Sequence, residues 1–157
     1  MKKYKIISKV FLSDFKYKNK VISIFINNLI KKGKINISQK TIYKVIDFIK
    51  KKNKISKKKV INYIKKSINN VSPKYRVFKK RLGSSLLDIP NLIFNKYKKI
   101  KLGIKNIIKN SKKRKEKNHY KRLSLEIIES FNKKSISYKK KKELDKASKL
   151  NKLFINN

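Results

Sequence analysis

Pro73 and Pro90, the two prolines of this chain, bracket the stretch in which its hydrophobic period changes. Before Pro73 and beyond Pro90, apolar residues recur every third or fourth position, the spacing of helix faces. Between the prolines Tyr75, Val77 and Lys79 alternate with Arg76, Phe78 and Lys80, which suits an extended strand. Gly83-Ser84-Ser85 supplies a turn, and Leu87 and Ile89 suit a returning strand that ends before Pro90. The chain is therefore constrained to be helical with one hairpin, over about residues 74–90, inserted between helices.

The helices follow from the apolar stripes. From Lys18 to Lys32, Val21, Ile22, Phe25, Leu29 and Ile30 share a face, and Gly33 is placed to end the helix. Ser38 is the expected cap of a second helix with Ile42, Val45, Ile46 and Ile49 inward. Ser56 is the expected cap of a third, with Val60, Ile61, Ile64 and Ile68 inward, and Pro73 closes it. Helical spacing resumes near Lys98 with Ile100, Ile104, Ile107 and Ile108. A fifth helix is expected from about Asn118 to Asn132 through Tyr120, Leu123, Ile127 and Phe131. "KKSISYKKKK" breaks the pattern before a last helix, from about Lys140 to Phe154, with sparse apolar positions Leu144, Ala147 and Phe154. The predicted fold is mainly α: about six helices in one compact domain, with a projecting β-hairpin arm between the third and fourth. Residues 1–17 read as a basic N-terminal arm, and residues 18–157 as a single helical domain that includes the hairpin.

Nucleic acid enters through charge. Lys and Arg number 48 against 8 Asp and Glu, a net +40. A folded domain with that charge repels itself and calls for a polyanion. Part of the excess reflects coding: Lys, Ile and Asn share A/T-rich codons, and Ala147 is the single alanine. The four arginines, Arg76, Arg81, Arg114 and Arg122, are therefore more informative than any one lysine. There is no cysteine and one histidine, so no thiolate metal site and no Ser-His-Asp triad with redundancy is expected; the reading is of a protein without catalytic residues, metal or cofactor. The longest apolar run, "VISIFINNLI", is too short for a membrane span and holds two Asn. "MKKYKIISKVFLSDF" is basic but does not read as a signal peptide, which fits a product made where it works.

Lys79, Lys80 and Arg81 precede the turn and give the arm a cationic end. Gly83 allows close backbone approach, and the hydroxyls of Ser84 and Ser85 can bond phosphate or 2′-OH oxygens. Tyr75 and Phe78 can stack on bases or pack at the arm's root. The plainer reading is that these lysines only protect strand edges; the concentration of charge at the protruding end favours binding. Lys112, Lys113 and Arg114 in "NSKKRKEKN", and Lys139 and Lys140 in "SYKKKKEL", flank the fifth helix and could share a surface with the arm, although such runs are commonly solvated faces. His119 reads as a packing residue at a helix start, and Glu126 and Glu129 as surface ion pairs. Lysine point charges and small hydroxyls suit recognition of folded RNA by shape and backbone more than the reading of a short sequence.

Three segments carry a resemblance to the bacterial-type small-subunit ribosomal proteins of the S-seven family, over about residues 14 to 155. "DFKYKNKVISIFINNLIKKGKINISQKTIYKVID" is similar to the family's Asp-Pro-Lys-Phe start and first two helices, through Asp14, Lys16, Gly33, Lys34 and Tyr43, with Phe15 in place of proline. "NNVSPKYRVFKKRLGSSLLDIP" resembles its Asn-Val-x-Pro, strand, Arg-Arg-Val-Gly-Gly and Val-Pro, through Asn70, Val71, Pro73, Val77, Arg81, Gly83 and Pro90. "YKKKKELDKASKLNKLF" resembles the family's final helix through Lys139, Lys140, Asn151, Lys152 and Phe154. Ser84 replaces the second glycine of the family's turn, Arg76 stands where the family has an acid, and Lys105 and Asn106 replace an Arg-Trp pair.

The resemblance implies binding to the 3′ major domain of small-subunit rRNA, a part in assembling the subunit head, neighbouring small-subunit proteins as partners, and an arm near the exit-site tRNA and the mRNA path. By position it implies RNA contact for Lys34, Lys79, Lys80, Arg81, Gly83 and Ser84, and for the N-terminal arm with Lys2, Lys3 and Lys5. The A/T-rich residue set points to a plastid ribosome, apicoplast-like, with a mitochondrion or the cytoplasm of a reduced bacterium as alternatives. The rival reading is a nonspecific nucleoid-type DNA-packaging protein, which would share the charge but would not need one Gly-tipped arm. A membrane-active basic helical protein ranks third, because the helices offer stripes able to bury one another.

Overall fold

The computed structural model describes residues 13–82 and 85–150. Six helices are present, with an antiparallel two-stranded hairpin between the third and fourth: α1 Lys20–Leu29, α2 Ile35–Asn53, α3 Lys57–Val71, β1 Tyr75–Leu82, β2 Ser85–Leu92, α4 Lys96–Ser111, α5 His119–Phe131 and α6 Ile136–Leu150. Fold class and the place of the arm are as the sequence predicts. None of the described helices is long and apolar enough to cross a membrane.

Helix α5 is the axis of the core, packing against α2, α3, α4 and α6, while α1 covers α2 and α4. Ile46, Ile49, Val60, Ile64, Ile104, Ile107, Leu123 and Ile127 are all buried at this junction. Ile24 and Ile26 join Ile22 and Phe25 inside, because α1 lies between two neighbours and buries more than one stripe. Packing of α3 on α4 is close. A Cβ on Gly103 would stand 2.5 Å from Ser72 Oγ and 3.1 Å from the Ile68 carbonyl oxygen. Asn70 fastens α3 to the end of α5, its Nδ2 donating to the carbonyls of Ser130 and Phe131 at 3.2 Å each. Beside it the Tyr63 and Phe131 rings stack with centroids 3.9 Å apart.

Several boundaries differ from the expectation. Helix α1 ends at Leu29, and Gly33 lies beyond it, in the turn to α2, at φ +72. Ser38 is buried in the first turn of α2, its hydroxyl donating back to the Lys34 carbonyl; Lys34 holds the cap position. Ser56 does precede α3, but its side chain makes no cap bond. The side-chain caps are Asn19, which accepts from Val21 N at 3.0 Å, Asn95, which accepts from Tyr97 N at 2.9 Å, and Ser135, which accepts from Tyr138 N at 3.1 Å. That last bond starts α6 at Ile136, inside the stretch expected to break the pattern. Pro90 does not end β2 but pairs with Val77 inside it, which a two-stranded ribbon tolerates because each strand has an open edge.

At the amino-terminal side, residues 14–18 form a tight turn. Asp14 is buried; its Oδ2 accepts from Tyr17 N and its Oδ1 from the Tyr43 hydroxyl, both at 3.0 Å, while its carbonyl takes Lys18 N at 2.7 Å. Burial first, and the bond to Asp14 second, push the Tyr43 phenol up to about 12. The turn leaves Phe15 exposed and Lys16 over the Tyr43 ring at 4.8 Å.

Candidate nucleic-acid interface

Lys79, Lys80 and Arg81 are exposed on the distal half of β1. Side chains alternate along a strand, so Lys79 and Arg81 share one face of the ribbon and Lys80 takes the other. The arm is cationic on both faces, which suits insertion between phosphate strands more than docking on a flat surface. Eight residues at ~3.3 Å each give it a reach of roughly 26 Å. At its root Tyr75 is half-buried, while Phe78 is exposed with the Arg76 guanidinium 4.9 Å from its ring centroid. The pairing continues to Leu82↔Ser85, and Gly83 and Ser84 lie outside the described residues. So do Lys2, Lys3 and Lys5 of the amino-terminal arm, and Asn151, Lys152 and Phe154 at the other end.

A second group of cations converges elsewhere. Lys34 at the start of α2 and Lys112 at the end of α4 line one cleft of about 320 Å³, together with Lys31 and His119. Neither Lys31 nor His119 stood among the predicted contacts. First turns of two helices, α2 and α5, border this cleft without acidic residues, so their amide partial charges add to the positive field. The His119 imidazole is pushed below its ordinary 6.5 by burial, and then by Arg122, Lys31 and Lys112. Lys34 also lines the cleft and adds a further positive charge at its rim.

In the free protein, protonation of His119 is therefore disfavoured: its contribution to stability is complete above 6.5 and is lost as pH falls below that value. A polyanion in the cleft would offset the charges of Arg122, Lys31 and Lys112, so His119 is expected to titrate higher when the polyanion is bound, and binding to strengthen as pH falls. NMR titration of this single histidine checks it: a value that stays put when RNA binds would place His119 away from phosphate.

Lys113 is exposed on the connector, and Lys139 and Lys140 sit near the start of α6, a helix that packs against β1 of the arm. Arg114 does not join them. Its side chain is 11% exposed and turned onto acids: Nε donates to Glu126 Oε2 at 2.8 Å, Nη1 to Glu129 Oε1 at 2.9 Å, and Nη2 pairs with both carboxylates. Burial alone would lower the Arg114 pKa, but hydrogen bonds to Glu129 and Glu126 outweigh it and raise it. Glu126, expected in a surface pair, is fully buried; its Oε1 accepts from the Ser137 amide at 3.2 Å and the Ser137 hydroxyl at 2.6 Å. Asn110 Nδ2 donates to the same hydroxyl at 2.9 Å. This network ties the end of α4, the connector, α5 and α6 together. With Glu116 also 3.9 Å from Arg114, three of the chain's eight acids are gathered on one arginine, and the outer surface keeps its positive field. Among the described residues no group of His, Cys, Asp and Glu could hold a metal ion.

Comparison with known proteins agrees with the resemblance in the sequence. The family model described as ribosomal protein S7p/S5e matches residues 1–152. The chain is similar to the small ribosomal subunit protein uS7 of Syntrophus aciditrophicus strain SB, 34% identical over 95% of this chain and 93% of the relative. It is also similar to uS7 of Carsonella ruddii strain PV, 37% identical over 94% and 92%, and of Rickettsia akari strain Hartford, 31% identical over 93% and 89%.

Proposed function

Because the chain belongs to the ribosomal protein S7p/S5e family, whose members are structural ribosomal proteins and not enzymes, we propose that it is built into the small ribosomal subunit by binding the 3′ major domain of its rRNA. There it helps assemble the subunit head, beside neighbouring small-subunit proteins, with its arm near the exit-site tRNA and the mRNA path. Its work is to neutralise phosphates and fix the fold of one rRNA domain while the helical core holds the arm rigid. The observation that carries this reading is the arm, with Lys79, Lys80 and Arg81 exposed beyond the helical body. Lys34, Lys112, Lys113, Lys139 and Lys140 supply further contacts, with Lys2, Lys3, Lys5, Gly83, Ser84 and Ser85 assigned by position in the sequence. Arg114 serves from inside, by holding the connector that presents Lys112 and Lys113.

The ribosome is the location. The matching relatives named above are bacterial, and the plastid reading rests on codon-linked composition alone.

Binding of the intact protein to 3′ major-domain RNA of a bacterial small subunit, with excess tRNA competitor, tests the proposal. Competitor-resistant binding is expected, and changing Lys79, Lys80 and Arg81 together to Ala should weaken it ~10- to 100-fold and flatten its salt slope by ~2 to 3. Binding abolished equally by tRNA or duplex DNA would leave a generic polycation of the DNA-packaging kind.

A further inference from the structure

The cleft between α1, α2, α4 and α5 combines two surfaces that a nucleotide satisfies together. Its walls are apolar where Leu29, Ile37 and Ile108 meet, and its rim carries Lys31, Lys34 and Lys112. Ile37 is 59% exposed, and Ile35, at the same helix start, is 50% exposed, so apolar surface is open to a partner at the start of α2. A volume of about 320 Å³ lies at the small end of ligand pockets, room for one flat ring and not for a helix. An apolar side chain alone would fill the walls but bring no counter-charge to the three exposed ammonium groups at the rim. A duplex would neutralise the ammonium groups and leave the recess empty.

We propose that this cleft receives one unpaired nucleobase of the rRNA, its ring against Ile37, Leu29 and Ile108 and its flanking phosphates on Lys31, Lys34 and Lys112. This rests on the rRNA-binding reading above and deepens it, turning part of a backbone-docking protein into a reader of one extruded base. Ser38 and Thr41 also line the cleft, and each hydroxyl donates its proton to its own helix, Ser38 to the Lys34 carbonyl and Thr41 to the Ile37 carbonyl at 2.7 Å. Their remaining lone pairs are acceptors. The site therefore offers acceptors to an N–H group on the edge of the base.

The test uses the full chain and 3′ major-domain RNA carrying single abasic nucleotides, scanned through the loops and bulges. One abasic position is expected to weaken binding ~10- to 100-fold with its phosphates intact. Thr41→Trp, which fills the recess, should weaken binding to intact RNA by a similar factor and make that abasic position silent. Ile37→Ala, a change at an exposed position that folding tolerates, should give a smaller loss coupled to the same nucleotide. An abasic scan without such a position, or equal losses for Thr41→Trp at every position, would overturn the inference while leaving competitor-resistant rRNA binding in place. If Thr41→Trp impairs incorporation into subunits with a flat scan, the occupant is a protein side chain and the inference is wrong. Failure of the intact protein to bind the RNA with tRNA present would instead remove the rRNA reading itself.

Discussion

Glu126→Ala is expected to cost about 3 to 5 kcal/mol of folding stability, the range for removing one partner from a buried ion pair. The carboxylate is fully buried and serves two clients, Arg114 through Oε2 and the Ser137 amide and hydroxyl through Oε1. Truncation leaves a guanidinium that is 11% exposed with only Glu129 and a distant Glu116, and leaves the α6 amide without an acceptor. Glu126→Gln retains an acceptor for Ser137 and removes the charge, so its loss should be about half as large. Urea unfolding of both variants, with Arg114→Ala to close a double-mutant cycle, separates the pair from the α6 contact. A loss below about 1 kcal/mol for Glu126→Ala would show that water enters and the network does not hold α6.

Raising salt from ~50 to ~200 mM is expected to weaken binding to the 3′ major-domain RNA ~10³- to 10⁵-fold if about six to ten phosphates are neutralised. The slope of affinity against salt does more than confirm an electrostatic contribution. Each phosphate contact releases counterions, so the slope counts the lysines that touch RNA and ignores those that merely face solvent. With 48 basic residues in the chain, a slope corresponding to six to ten contacts would assign most of them to no contact at all. A slope several times steeper would mean that the whole surface condenses onto RNA without a defined site.

Helices and hairpin were legible because their signals are local: Ile stripes of one period, a change of period at Pro73, and a Gly-Ser turn. What escaped depends on residues distant in sequence. Nothing near Glu126 announces that Arg114 will fold back on it, or that the start of α6 will supply two more donors. Lys34 and Lys112 were both read as contacts, but only the packing of α1, α2, α4 and α5 brings them to one cleft with Lys31 and His119. The early start of α6 was hidden by its lysines, which blur the apolar period, although Ser135 three residues before Tyr138 is an ordinary cap spacing. No cap was assigned to the first and fourth helices, where Asn19 and Asn95 serve, although asparagine is as good a cap as serine.

Lys18, Lys32, Lys54 and Lys133 all hold left-handed backbone, at φ 45, 49, 49 and 59. Glycine takes such positions freely, whereas a residue with a Cβ is strained there by about 1 kcal/mol or more. The chain has three glycines in all, and lysine stands at each of these four strained positions. Against a typical domain stability of about 5 to 15 kcal/mol, four such turns and the self-repulsion of the charge are a substantial debit. A tightly bound partner restores it by mass action, about 4 kcal/mol when present at a thousand times Kd. Copies without such a partner are then the less stable ones, and the fold's stability becomes a readout of how much of the chain is bound.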